Sequence, residues 1–265
     1  IDNIRFSKKD LKEVFKYAVK KKITLFSTPF DFDSLNQLES LGCPAYKISS
    51  MVLVKIPLIK QVAKKNKPII LSTGMSQLSD IENAVNAVLQ LNNSKIIVLH
   101  CVSSYPCDAK NANLPKILDL KRVFKVIPGY SDHTLGTDVA IASIAMGAKV
   151  IEKHFTLDKN MDGPDHSFSL NFEELKELIK SIRNTENAMQ NIGFGIQNCE
   201  LNTAQNLRRS IFTKKKIKKG EKITTQNIEI KSPGIGIDPK YYEKIIDKRI
   251  NKTLDEDLPL TWNDI

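Results

Sequence analysis

Two histidines, His133 and His154, stand at the C-terminal ends of consecutive apolar runs, Val126–His133 and Lys149–Phe155. Imidazoles brought together from neighbouring strands suit a divalent ion of borderline hardness, Mn²⁺ or Zn²⁺ rather than Ca²⁺. Two protein ligands would leave coordination positions for water or substrate, which is a catalytic arrangement. The same placement also suits two hydrogen-bonded core histidines. His100 closes another run, but Cys101 follows it and Cys107 lies near, so a structural or supporting role fits it as well. His166, in Asp162-Gly163-Pro164-Asp165-His166, reads as a solvent-exposed loop residue.

Lys47 lies inside the run Ala45–Ser50. A lysine in a buried strand needs an anionic partner, because an unpaired charge there is costly. Thr28, Ser50, Ser72 and Ser131 would surround it with short hydroxyls at one level. That set describes a phosphate or carboxylate pocket. Two alternatives stay open: Lys47 reaching out to the rim among ordinary strand-end serines, and Lys47 as a Schiff-base nucleophile.

The elements that must position these groups alternate from residue 7 to about residue 194. Strands are expected at Ile23–Phe30, Ala45–Ser50, Pro68–Gly74, Lys95–Cys101, Val126–His133 and Lys149–Phe155, each a short apolar run. Such runs mark strands covered on both faces of a parallel sheet. Helical periodicity covers Ser7–Lys22, Asp33–Leu41, Ile56–Asn66, Gln77–Asn92, Pro115–Val123, Thr137–Gly147 and Phe172–Asn191. Ser7 before Asp10, and Ser76 or Ser79 before acidic residues, read as N-caps. The alternation means an α/β fold, either doubly wound or a (β/α)8 TIM-type barrel. Polar residues end every strand, as in a barrel mouth, and no glycine-rich dinucleotide fingerprint follows the first strand. Six strands and an opening helix predict a barrel lacking its first one or two βα units.

The boundaries expected are a partial barrel over 1–194, a linker over 195–207 containing the polar stretch Gln197–Asn206, and a small domain over 208–265. The small domain shows a strand at Ser210-Ile211-Phe212, a turn at Lys218–Glu221 and a strand around Ile228–Ile230. The chain has 265 residues, 41% hydrophobic and 26% charged, as in an ordinary globular protein. Its net charge of +10 does not mark a nucleic-acid binder, because the lysines are spread along helices and not interleaved with aromatics. An anionic substrate suits that charge. No run approaches the roughly 20 apolar residues of a membrane span, and no signal-peptide pattern opens the chain. Cys43, Cys101, Cys107 and Cys199 lack paired spacing, which fits a reducing cytoplasm.

Nine motifs follow one another in order: Ser-Thr-Pro-Phe-Asp (27–31), Tyr-Lys-Ile-Ser-Ser (46–50), Leu-Ser-Thr-Gly-Met (71–75), His-Cys-Val-Ser-Ser-Tyr-Pro (100–106), Gly-Tyr-Ser-Asp-His-Thr (129–134), Ile-Glu-Lys-His-Phe-Thr (151–156), Gly-Pro-Asp-His (163–166), Arg-Arg-Ser-Ile (208–211) and Lys-Lys-Gly-Glu (218–221). Together they resemble the N-acetylneuraminate (sialic acid) synthase family, which also makes legionaminic and pseudaminic acids for cell-surface polysaccharides. The resemblance implies a (β/α)8 barrel followed by an antifreeze-protein-like (SAF) domain. The activity it implies is condensation of phosphoenolpyruvate with N-acetylmannosamine or a related N-acyl amino sugar, giving a nonulosonic acid and phosphate. It implies His133 and His154 as ligands of Mn²⁺ or Mg²⁺. Lys47, Thr28, Ser50, Ser72 and Ser131 become the phosphoenolpyruvate pocket, and Tyr105 and Asp165 contacts to the sugar. A domain-swapped homodimer in the cytoplasm is also implied, with no nucleic-acid or membrane partner.

The sequence departs from the family pattern in three places. The family's first two strands, which carry a catalytic glutamate, have no counterpart, so an unclosed barrel is expected. Ser232 precedes Pro233-Gly234 where the family has an arginine, and Ser103 stands where an amide is common. Two other readings compete with the synthase: a Schiff-base aldolase using Lys47, and a non-catalytic sugar- or anion-binding barrel.

Overall fold

The structure, a computed structural model, describes residues 6–190 and 193–265. It divides into two compact units, Ile1–Gln190 and Asn191–Ile265.

The first unit opens with α1 (Lys8–Lys20) and α2 (Phe32–Ser40). Each is started by a side chain that satisfies an otherwise orphaned backbone donor. The Ser7 hydroxyl accepts from Asp10 N at 3.1 Å, and Asp31 Oδ1 accepts from Ser34 N at 2.7 Å. Strands and helices then alternate: β1 (Tyr46–Ile48), α3 (Ile56–Ala63), β2 (Ile69–Ser72), α4 (Leu78–Leu89), β3 (Ile96–Cys101), α5 (Lys116–Phe124), β4 (Ile127–Asp132), α6 (Asp138–Ala145), β5 (Ile151–Lys153) and α7 (Phe172–Ala188). The expected last residue of that final helix, Asn191, lies outside the described residues. The α4 cap is not a serine: Gln77 occupies the position, and Asp80 Oδ2 accepts from its backbone N at 2.9 Å.

The five strands are parallel and lie in the order β1-β2-β3-β4-β5. A strand order that never reverses belongs to a barrel wall and not to a doubly wound sheet with its switch point. The sheet is a curled half barrel. The strand expected over Ile23–Phe30 does not form. Only Ser27 makes a parallel bridge, to Tyr46, and its carbonyl accepts from Lys47 N at 3.1 Å. Among the described residues, pairing reaches that stretch on its Tyr46 side alone, and Ile23, Phe26 and Phe30 are exposed, so the apolar pattern has no second ladder there to extend it. A further bridge, Phe155 to Leu170, follows β5.

Register assigns the two faces of the sheet. Tyr46, Ile48, Ile69, Leu71, Ile96 and Val98 face the helices and pack with Leu58, Ile59, Val62, Val85 and Val88 into the main core. The alternate residues Lys47, Ser72, Cys101, Ser131 and Glu152 share the concave face. Gly129 lies on that face for want of room: a Cβ there would stand 2.4 Å from Leu99 Cδ2 and 2.5 Å from the Val150 carbonyl.

In the second unit, residues 198–207 are not an unstructured linker. A short 3-10 turn, Asn198–Glu200, leads into α8 (Leu201–Leu207), because Glu200 Oε2 accepts from Gln197 N at 2.9 Å and so caps the start. The antiparallel pair β6 (Ser210–Thr213) and β7 (Ile228–Lys231) follows, with α9 (Tyr242–Ile245) beyond it. Its core is Ile211, Ile217, Ile223, Ile228, Ile237, Ile245, Ile250, Leu254 and Leu260. The Lys218–Glu221 turn forms as expected, with Gly220 at φ +82, a left-handed backbone for which glycine carries no steric cost. Glu221 Oε2 accepts from Lys218 N across the turn at 2.9 Å.

Candidate functional site at the strand ends

Strand pairing sets the site. Because Ser131 is paired with Glu152, the residues two positions on, His133 and His154, continue the same face at the sheet's C-terminal edge. Their ring centroids are 5.4 Å apart and the rings meet edge-on. His133 is buried, and its Nδ1 lies 2.8 Å from the Val102 carbonyl oxygen. A carbonyl can only accept, so Nδ1 carries the proton and Nε2 is left as the ring's donor atom toward any ligand. Burial lowers the pKa of His133, but the Cys101 sulfur and the Val102 carbonyl outweigh it, and the net direction is upward. His154 moves the other way: burial lowers its pKa, and the nearby Asp165 carboxylate offsets this only in part. Asp165 Oδ2 is 3.6 Å from His154 Nδ1, an electrostatic contact longer than a hydrogen bond. The Tyr105 ring lies over His133 at 4.1 Å and reaches His154 at 5.9 Å, with Phe168 behind both.

The donor set suits a divalent ion. One imidazole is held with Nδ1 protonated and Nε2 open, the second stands beside it, and the Asp165 carboxylate lies 3.6 Å from Nδ1 of that second ring. Among the described residues no group of three or more His, Cys, Asp and Glu side chains converges on one point. An ion held here would therefore keep most of its positions for water or substrate.

The second cluster centres on Lys47, buried at 8% exposure. The anionic partner that its burial demands is Glu152, with Nζ to Oε1 3.4 Å, and Ser131 Oγ donates to the same oxygen at 2.7 Å. Of the expected hydroxyls, Ser50 Oγ accepts from Gly74 N at 3.0 Å and lies 3.7 Å from Cys101 Sγ. The Ser72 and Ser49 hydroxyls are buried without a hydrogen-bond partner among the described residues. A buried hydroxyl without a protein partner needs one from an ordered water, an ion or a ligand. Thr28 is half-buried directly after Ser27, whose carbonyl holds Lys47 N. Gly74 is needed for this packing, since a Cβ there would meet Ser103 Oγ at 2.2 Å and Ser50 Oγ at 2.8 Å.

Sequence reasoning missed Glu152, although its position two residues before His154 in Ile-Glu-Lys-His already put both on one face of a strand. It also missed Cys101, whose Sγ lies 3.9 Å from His133 Nδ1. The expectation for His166 is corrected: it is half-buried, and its Nδ1 bonds the Thr156 hydroxyl at 2.7 Å. His100 has a structural role, with Nε2 2.7 Å from the Ala112 carbonyl oxygen, and burial lowers its pKa. A cavity of about 520 Å³ between α4, α5 and the ends of β2 and β3 shares Cys101 and Ser103 with the site but contains neither Lys47 nor His154.

Residues 1–193 match the NeuB family and residues 208–265 match the SAF domain. The chain is 43% identical to an N,N'-diacetyllegionaminic acid synthase of Campylobacter jejuni, over 97% of this chain and 78% of that protein. It is 38% identical to a pseudaminic acid synthase of Helicobacter pylori, over 96% of this chain and 74% of that protein. Among solved structures, the N-acetylneuraminic acid synthetase of Leptospira borgpetersenii superposes with a TM-score of 0.71 at 34% identity, covering 75% of this chain and 70% of that one. With the whole first unit covered by the family match and residues 208–265 by the SAF domain, this chain belongs to the NeuB family.

Proposed function

We propose that this protein condenses phosphoenolpyruvate with an N-acyl amino sugar, N-acetylmannosamine or a close relative, to give an N-acetylneuraminate-type nonulosonic acid and phosphate. The observation that carries the reading is the joining of two clusters on one concave strand face: Lys47 with open buried hydroxyls, and beside it the His133/His154 pair. The first is the chemistry of an anion pocket and the second that of a divalent-ion site.

In this reading Lys47, Thr28, Ser50, Ser72 and Ser131 hold the phosphate and carboxylate of phosphoenolpyruvate in register with the sugar aldehyde. The methylene carbon of phosphoenolpyruvate forms the bond to the aldehyde carbon. Water adds at the resulting cationic C2 and one of its protons passes to the alkoxide left on the former aldehyde oxygen; the C2–oxygen bond to phosphate then breaks as C2 becomes a carbonyl, and the hydroxyl proton leaves with phosphate. An Mn²⁺ or Mg²⁺ ion held by His133 and His154 would supply Lewis acidity at the aldehyde oxygen. Tyr105 and Asp165, half or more exposed around the histidines, face the sugar. A second reading of the sugar, a legionaminic acid precursor, rests on the 43% identity to the C. jejuni synthase.

Phosphate release from phosphoenolpyruvate tests the reaction. Release is expected only with both amino sugar and Mn²⁺, and EDTA should stop it. Release that persists in EDTA would remove the metal from the reading, and binding of the sugar without release under any condition would favour a non-catalytic barrel. A domain-swapped homodimer belongs to the same proposal. Sedimentation equilibrium should give twice the chain mass, and a monomer at micromolar concentration would discard it.

A further inference from the structure

Directly beneath the two histidines, on the opposite face of the same strands, lies an ion pair that the proposed chemistry does not use. Asp132 and Lys153 are paired across β4 and β5, one residue before His133 and one before His154. Lys153 Nζ is 2.7 Å from Asp132 Oδ2, with side-chain exposures of 4% and 0%. The other carboxylate oxygen, Oδ1, accepts from Thr134 N at 2.9 Å and from the Thr134 hydroxyl at 2.8 Å. Lys153 Nζ also donates to the Thr134 carbonyl. One ammonium therefore binds both ends of the three-residue segment centred on His133, and it does so from the residue next to His154. The His133 carbonyl is fixed as well, accepting from Cys107 N at 2.8 Å.

This pair stands on the sheet face that also carries Tyr46, Ile48, Ile69, Leu71, Val98 and Tyr130, with the neutral His100 and Pro128 as its other departures from aliphatic and tyrosine side chains. Well-packed apolar residues of similar volume usually stabilise such a layer as well as a buried ion pair or better. Stability alone does not account for it. What the pair adds is a fixed distance and direction between two adjacent strand ends.

Resting on the reading of His133 and His154 as metal ligands, we infer that Asp132 and Lys153 are positioning residues whose buried pair sets the spacing and aim of the two imidazoles, and so the affinity of the site for a divalent cation. Outer-shell groups that orient ligands commonly change metal affinity by about 10–100-fold.

The test is Mn²⁺ affinity, read without substrate from the electron paramagnetic resonance signal of free Mn²⁺, alongside the thermal midpoint. The proteins are the unaltered chain, Lys153→Met, and the double variant Asp132→Asn with Lys153→Met. Lys153→Met strands a buried carboxylate and should lose both stability and affinity. The double variant removes that stranded charge and should recover most of the thermal midpoint while its Mn²⁺ affinity stays at least tenfold weaker. Recovery of affinity together with stability would overturn the inference and make the pair purely structural. A milder variant, Thr134→Val, keeps the ion pair and removes one donor to Asp132; it should weaken Mn²⁺ binding a few-fold with little thermal change, and unaltered binding would count against the inference. If the unaltered chain binds no Mn²⁺, the two-histidine metal reading fails first, which is a distinct result.

Discussion

His133→Ala should reduce kcat/KM by about a thousandfold or more at saturating Mn²⁺, with only a small shift in thermal midpoint. Metal polarisation of a carbonyl contributes several kcal/mol to a transition state, and each 1.36 kcal/mol is about tenfold in rate. His133 is the better-fixed of the two imidazoles, with Nδ1 held by the Val102 carbonyl and the Tyr105 ring over its face. Its alanine variant loses the proposed ligand atom, which no neighbour replaces among the described residues, since no third donor converges there. The fold should tolerate the change, because the backbone of the segment is held independently through Asp132, Thr134 and Cys107. Parallel melting curves and rate measurements check this. A variant that loses its fold while its metal-dependent rate per folded molecule is preserved would make His133 a core histidine instead.

Lys47→Ala should raise the KM for phosphoenolpyruvate by about 10–150-fold, the equivalent of losing one charged hydrogen bond of about 1.5–3 kcal/mol. The loss has two sources. The anionic substrate loses its buried cation, and Glu152 keeps only Ser131 as a hydrogen-bond donor. Glu152 then stands as a bare carboxylate in the pocket proposed for a carboxylate and a phosphate. Adding Glu152→Gln to Lys47→Ala should therefore recover part of the affinity. An unchanged phosphoenolpyruvate KM in Lys47→Ala would take Lys47 out of the pocket. Borohydride should trap no covalent adduct with the unaltered protein; trapping one at Lys47 would restore the Schiff-base aldolase reading.

How far the sequence reached can be judged at these same residues. His133, His154 and Lys47 were legible because each breaks or closes an apolar run, and a period of two gives the face on which each stands. Glu152 follows from the same period. The Asp132–Lys153 pair does not, because which residue of β4 meets which residue of β5 is decided by lateral register, and register depends on the packing of the whole sheet. The stretch 23–30 shows the converse failure. Its composition is that of a strand, but β-propensity is largely a statement about neighbours, and its one bridge supplies a neighbour at Ser27 alone. Residues 197–207 looked like a linker because they are polar. The Gln197–Glu200 capping contact and the short α8 show that polarity on an exposed helix is not a sign of irregular chain.

The small domain's interior has a consequence of its own. Seven of its nine fully packed apolar residues are isoleucine. A β-branched side chain is stiff at χ1, so such an interior has few alternative packings and little freedom to rearrange. The loops it carries, including the Lys218–Glu221 turn, are thus offered in a shape settled at folding. A partner that met this surface would find a die already cut, and association there would cost little in ordering this side.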